Sequence, residues 1–316
     1  MIVEQKIAHL LRRFGLGAGR LEVEKYSHLG VDGTIDRLVN YTKVPVGPTP
    51  QVWEWYIQQD NKYGLDPTRV RSWWQYRMLT TERPLEEKLT LFWHNHFAIS
   101  GSKCDFGPMM HQYVDVMRDN ATGSFYDLLL QVSKTPAMLK WLDTDQSVPG
   151  HPNENFAREV MELFTLGIGN YTEKDVQEAA RTLLGWSLRY PIYERLGGDQ
   201  NAKIQGAMEH GWPLVASSFS PEMRDMGHKT ILGKTAAFDA ESFMRLLAYH
   251  PVTAKRMVKK LFSYFAYDNP SDATVDKFVK IWYKNDLHTG PWLAALAHSN
   301  EFWSDQCVGT PIHRKF

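Results

Sequence analysis

The apolar positions of the chain recur with a helical period over most of its length. Ile7, Leu10, Leu11 and Phe14 follow the i, i+3, i+4, i+7 template of an amphipathic helix, and Gly15 and Gly17 stand where glycines end helices. Ile35, Leu38 and Val39 after Gly33 predict a second, short helix, closed by the Pro-rich stretch from Pro45 to Pro50. Between Gln51 and Phe97 the pattern predicts three helices. One starts after Asp66-Pro67 and one at Pro84, where proline suits a first turn because its missing N–H would have no partner there. Further helical periods run over 106–117, 124–132 and 153–166, and Thr172 with Asp175 opens another that reaches Leu184. Segments 239–249, 251–267, 271–284 and 291–302 predict four closing helices.

From Trp186 to Leu232 the period fades into glycine, proline and mixed aromatic residues. The only β-structure is therefore expected there, as a small hairpin or irregular excursion near residues 187–232. With no internal repeat and no low-complexity tract, the expected fold is mainly α: a multi-helix globular bundle forming one compact domain over residues 1–316.

Composition narrows the partners. Lys+Arg and Asp+Glu both count 36 in 316 residues, so the formal charge is zero and no global field favours nucleic acid or an anionic membrane. Apolar residues at 43% and charged residues at 23% are ordinary for a soluble globular chain. Charges or histidines break the apolar runs every few residues, so no membrane insertion is expected. The N-terminal segment has no basic stretch leading into an apolar one and no small-residue cleavage site, which predicts a cytoplasmic protein. Cys104 and Cys307 are too few and too far apart for a disulfide scaffold or structural zinc. The 11 Trp and 14 Tyr are mainly core filling, with a share for a ligand cleft.

Several segments, read in order, resemble the bacterial domain-of-unknown-function 1800 family. They are His9-Leu-Leu-Arg-Arg-Phe-Gly15, Phe92-Trp-His-Asn-His-Phe97, Leu142-Asp143 with Asp145, and Pro152-Asn-Glu-Asn-Phe-Ala-Arg-Glu159. The series continues through Glu162-Leu-Phe-Thr-Leu-Gly167, Tyr171-Thr172, Gly185-Trp186 and Gly227-His-Lys-Thr-Ile-Leu-Gly233. The resemblance spans nearly the whole chain and implies a fold and site positions, Lys229 among the ligand-binding ones, but no reaction. It departs at Arg224-Asp225, where the family usually carries His-Asp.

Three constellations carry candidate chemistry. His94 and His96 flank Asn95 near a helix end, and positions two apart on a continuous helix point about 200° from each other. Both reach one metal only if the helix stops there, as Ser100-Gly101 allows; the competing reading is one capping and one core histidine. Asp143 and Asp145 lie in a segment interrupted by Pro149, Gly150 and Pro152, where alternate side chains of an extended stretch share a side. They can therefore meet at a hard cation, although loop aspartates are more often turn formers. Asn155, Glu159 and Glu162 fall at i, i+4 and i+7 on one helix face beside a stripe of Phe156, Val160 and Leu163. A solvated face with intrahelical pairs such as Glu154 to Arg158 is the alternative there. Arg12 and Arg13 lie off the apolar stripe of the first helix, where they can grip a phosphate or carboxylate or make ordinary surface pairs.

Other signatures fail: Gly233-Lys234-Thr235 lacks phosphate-loop spacing, and neither a G-x-S-x-G elbow nor an H-E-x-x-H pair occurs. The functional expectation is an enzyme with a polar cleft of His94, His96, Asp143, Asn155 and Glu159, carrying out metal-dependent hydrolysis or group transfer on a small molecule or saccharide. Asp143, Asp145, Glu159 and Glu162 are its expected ligands for a divalent Mg, Mn, Ca or Zn ion. The alternative is a non-catalytic polysaccharide- or protein-binding assembly module that presents Trp73, Trp74, Trp93 and Trp186 on its surface. Buried tryptophans around a carboxylate and a histidine favour the first, and solvent-facing ones the second.

Overall fold

Helix Val3–Phe14 buries Ile7, Leu10, Leu11 and Phe14, as its spacing predicts. It ends where the Gly15 N–H returns to the Leu11 carbonyl at 2.8 Å. Lys88 Nζ closes this end, donating to Arg12 O in the last turn at 2.9 Å and to Gly15 O just beyond it at 2.8 Å. This is a computed structural model that describes residues 1–56, 65–191, 194, 199–210 and 213–309.

The chain is mainly α, 62% helical, with 17 helices among the described residues and two small antiparallel sheets. The Pro84–His96 helix is the inner element. Leu85, Leu89, Phe92 and Trp93 are buried, but so are Glu86, Glu87, Lys88 and Thr90, so its first turns are covered on every side. Helices Gly107–Asp119 and Phe125–Ser133 follow, and the closing helices Ala240–Ala248, Pro251–Phe265, Asp272–Lys284 and Thr289–Ala297 add further layers. Asp239 and Ser271 cap two of these, accepting from the Ser242 and Thr274 N–H groups at 2.9 Å and 3.2 Å. One cluster of buried apolar residues extends from Ile7 to Cys307, with smaller ones around Tyr56 and Val70 and around Trp73, Trp74 and Val114.

The β-structure lies where the helical period fades. Trp186–Arg189 pairs antiparallel with Ala216–Phe219, Trp186 opposite Phe219, and Lys229–Ile231 forms a hairpin with Lys234–Ala236. Gly185 enters the first strand at φ +97°, and a Cβ there would stand 2.7 Å from Ser220 O, so both backbone conformation and space require glycine. The excursion also holds a helix, Gln200–Glu209, that no period announced.

Other departures have local causes. Helix Arg20–Ser27 buries only Tyr26 and so shows no apolar stripe, and Pro136–Trp141 is too short for a period to register. The last long helix occupies Thr289–Ala297 rather than 291–302. Phe302 instead packs beyond its end against His9 and Phe14, with ring centroids at 4.7 and 5.4 Å. Segment 153–166 is an α-helix only over Glu154–Glu159 and widens into a π-helical turn over Val160–Thr165. Among the described residues no helix is long and apolar enough to cross a membrane.

Candidate functional site

Because the Pro84–His96 helix continues through His96, His94 and His96 project into different surroundings. His96 is 6% exposed and both its nitrogens are engaged: Nε2 donates to Phe164 O at 3.0 Å, and Nδ1 accepts from Lys260 Nζ at 2.9 Å. The carbonyl fixes the tautomer, since only a protonated Nε2 can donate to it. Burial, with the charges of Lys260 and Arg256, holds His96 neutral, well below the usual histidine range. The Phe164 carbonyl belongs to the π turn, whose Leu163 and Thr165 carbonyls accept from Arg256 Nη1 at 2.8 and 3.2 Å. His96 thus braces a helix end with no helical partners of its own.

His94 faces a cavity of about 570 Å³ between the start of helix Pro67–Thr80, the 99–102 turn and helix Gly107–Asp119. Trp74, Ile99, Met110 and Val114 give it an apolar wall; Arg71, His94, Thr68 and Ser102 bring polar groups to it, as does Asp66, whose carboxylate is paired with Arg69 at 3.4 Å. The His94 ring meets Trp74 edge-on at 5.2 Å and Tyr113 at 6.3 Å. Neither of its nitrogens has a hydrogen-bond partner among the described residues, and burial alone lowers its pKa. Arg71 is exposed and pairs with no carboxylate among the described residues. A cavity of this size with an apolar body and few polar groups has the character of a small-molecule site.

Trp74 is held from behind by Glu87. That carboxylate is fully buried, accepts from Trp74 Nε1 at 2.7 Å and Arg118 Nε at 2.9 Å, and also pairs with Arg77. Burial pushes the Glu87 carboxyl up, but Arg118 and Arg77 outweigh it and keep it below its ordinary value, hence ionised. The guanidinium groups of Arg118 and Arg77 lie over the Trp73 ring at 5.2 and 5.9 Å. A buried carboxylate thereby sets the plane of the indole that walls the cavity. On the far side of Arg118, burial pushes Asp115 up to about 6 and His111 down to about 4.

The remaining candidate residues take separate partners. Asp143, in the left-handed region at φ 54°, pairs with Lys103 at 2.7 Å; the Asp145 side chain lies outside the described residues. Asn155 is exposed and Glu159 half-buried. Burial and the neighbouring Glu162 charge raise the Glu159 pKa, while Glu162 accepts a hydrogen bond from the Tyr171 hydroxyl. The one-face arrangement of Asn155, Glu159 and Glu162 assumed a uniform α period, which the π turn interrupts before Glu162. Among the described residues no hydrogen bond or ion pair joins any two of His94, His96, Asp143, Asn155, Glu159 and Glu162. No three His, Cys, Asp or Glu side chains among them converge as metal ligands.

Arg13 is buried and donates to Cys307 O, and His9 bonds Phe302 O at 3.1 Å, so this part of the first helix ties the two ends of the fold together. Arg12 is exposed. Lys229 is buried with its Nζ on the Asp225 and Gly227 carbonyls, each at 2.8 Å. Asp225 itself receives the Arg181 fork at 2.8 and 3.1 Å and is held near 2 by it, so the segment around Arg224-Asp225 is a braced turn.

Sequence reasoning missed Arg71, Trp74 as a cavity wall, and Glu87. Arg71 and Trp74 share a helix face at i, i+3, which is legible, but their meeting with His94 is tertiary. A family model described as "Protein of unknown function (DUF1800)" matches residues 9–315. No curated protein and no solved structure matches the chain.

Proposed function

The chain belongs to the DUF1800 family, and from its own geometry we propose that the His94 cavity takes up a small molecule with an apolar body and one anionic group, with which His94 exchanges a proton. His94 carries the reading. It is a neutral imidazole on a 570 Å³ cavity, with both nitrogens uncommitted among the described residues. A general base needs that state: unprotonated at neutral pH and within reach of a bound compound. Arg71, which has no carboxylate partner among the described residues, supplies a guanidinium for a carboxylate or phosphate, and Trp74 with Met110 and Val114 receives the apolar part.

The burial of the tryptophans favours this over an aromatic binding surface. Trp73, Trp74 and Trp93 are at most 8% exposed, and Trp186 is half-buried beneath Lys134. Trp74 stands between the Glu87 carboxylate and the His94 ring, the arrangement expected of an enclosed site.

A fragment screen by protein-observed NMR, using aromatic carboxylates and aryl phosphates, tests the reading. Fragments should perturb Trp74 and His94, Arg71→Ala should weaken them by about tenfold, the loss of one charged hydrogen bond, and matched neutral amides should bind poorly. Equal binding of acids and amides, or perturbations confined to other surfaces, would overturn it.

A further inference from the structure

The His94 cavity carries charges of both signs. Asp66 and Arg71 line it from the first turns of helix Pro67–Thr80, and they are the ionised groups among its described lining residues, His94 being held neutral. An acid drawn to Arg71 therefore meets the Asp66 carboxylate as a like charge, and a neutral compound answers neither group.

Asp66 is committed only in part. Its Oδ1 caps the helix, accepting from the Thr68 N–H at 3.0 Å. Its Oδ2 lies 3.4 Å from Arg69 Nε, but that nitrogen makes no hydrogen bond, and Arg69 Nη1 donates to Trp55 O at 3.0 Å. Oδ2 thus receives no hydrogen bond among the described residues, and half of the side chain is open to solvent. The helix start itself offers nothing to an anion: Pro67 has no N–H, the Thr68 N–H is on Asp66 Oδ1, and the Arg69 N–H returns to Asp66 O at 3.3 Å. A negative group falls to the Arg71 fork, and a positive one to Asp66 Oδ2.

We propose that the ligand of this cavity is a zwitterion, a free α-amino acid with a large apolar side chain, an inference that rests on reading the cavity as a small-molecule site and narrows its substrate class. The ligand carboxylate takes the Arg71 guanidinium, its ammonium donates to Asp66 Oδ2, and its side chain lies against Trp74, Ile99, Met110 and Val114. The volume of about 570 Å³ is ample for a body the size of phenylalanine. A peptide carries its two charges at opposite ends, whereas Asp66 and Arg71 stand five residues apart at one end of a helix, which favours the free amino acid.

Binding to the full chain is read from the NMR signals of the Trp74 indole and the His94 ring. The probes are phenylalanine, 3-phenylpropionate, which lacks the ammonium, and 2-phenylethylamine, which lacks the carboxylate. Phenylalanine should bind about tenfold more tightly than either, the worth of one charged hydrogen bond. Asp66→Asn keeps an equally good helix cap, and it should weaken phenylalanine about tenfold while leaving 3-phenylpropionate unchanged or tighter. If 3-phenylpropionate or 2-phenylethylamine binds as tightly as phenylalanine, or if phenylalanine is indifferent to Asp66→Asn, the zwitterion is overturned and the acid-binding cavity stands. If neither phenylalanine nor 3-phenylpropionate perturbs Trp74 or His94, the cavity is not the site and both readings fall.

Discussion

The two faces of the Pro84–His96 helix make opposite use of the same side chain. His96 spends both nitrogens on Phe164 O and Lys260 and lies beneath a helix end that needs its donor. His94, two residues earlier, spends neither among the described residues and lies on a cavity. Burial lowers the pKa of both, so a lowered value by itself does not separate a structural histidine from a functional one. The hydrogen-bond partners separate them. An imidazole whose nitrogens are both satisfied by protein groups has nothing left for a ligand, whereas a neutral one facing a cavity can offer a donor and an acceptor to what binds there.

The largest effect should come from the support behind His94. Replacing Glu87 by Ala takes the shared carboxylate from the buried Arg118 and the half-buried Arg77, leaving them Asp115 and Glu86, and frees the Trp74 indole, which should cost about 3 kcal/mol of stability in urea unfolding. Glu87→Gln keeps an acceptor for Trp74 Nε1 and should cost less while preserving the cavity wall. A loss under about 1 kcal/mol for Glu87→Ala would show that the carboxylate is not what holds this face.

The histidines themselves come next. His96→Ala leaves the Phe164 carbonyl and Lys260 without their partner and opens a void, so it should cost about 2–4 kcal/mol. His94→Ala removes no hydrogen bond within the described residues and should cost under about 1 kcal/mol, while abolishing fragment binding. Equal losses from the two variants in chemical denaturation would erase the distinction between the faces.

Acid supplies a gentler probe. Both histidines are held neutral below the ordinary value of 6.5, so in the window beneath it the unfolded chain binds protons that the folded chain refuses. The stability they contribute is complete above pH 6.5 and is lost as pH falls. Each histidine kept neutral steepens the decline by about 1.4 kcal/mol per pH unit. Asp115, raised to about 6 by burial, works in the opposite sense below that pH, and neither variant touches it. Melting curves between pH 6.5 and 5 should therefore flatten more in His96→Gln than in His94→Gln.

How much of this was legible follows from what each residue's environment depends on. The helices carrying Ile7, Leu10, Leu11 and Phe14, or those capped by Asp239 and Ser271, are written in local period and caps, and burial follows that period. The divergence of His94 from His96 was only half legible: the roughly 200° between positions two apart was, but not whether the helix runs on through both, and the expected cleft held the two together. Glu87 was not, because an acidic residue in a first turn reads as a complement to the helix dipole; only the packing of Arg77, Arg118 and Trp74 around it shows otherwise. The π turn after Glu159 was equally hidden. It places the Leu163, Phe164 and Thr165 carbonyls against Arg256 and His96, partners far away in sequence, and it shifts the face on which Glu162 was expected.

The difference between the two imidazoles is open to direct observation in one sample. In long-range ¹H–¹⁵N NMR of the histidine rings, titrated with an aryl phosphate that binds wild type, His96 should remain the neutral Nε2–H tautomer throughout. The His94 nitrogens should shift with ligand, and Arg71→Ala should need about tenfold more ligand for the same shift. A titration in which His96 moves and His94 stays fixed would contradict the assignment of the cavity as the site and of His94 as its proton-exchanging group.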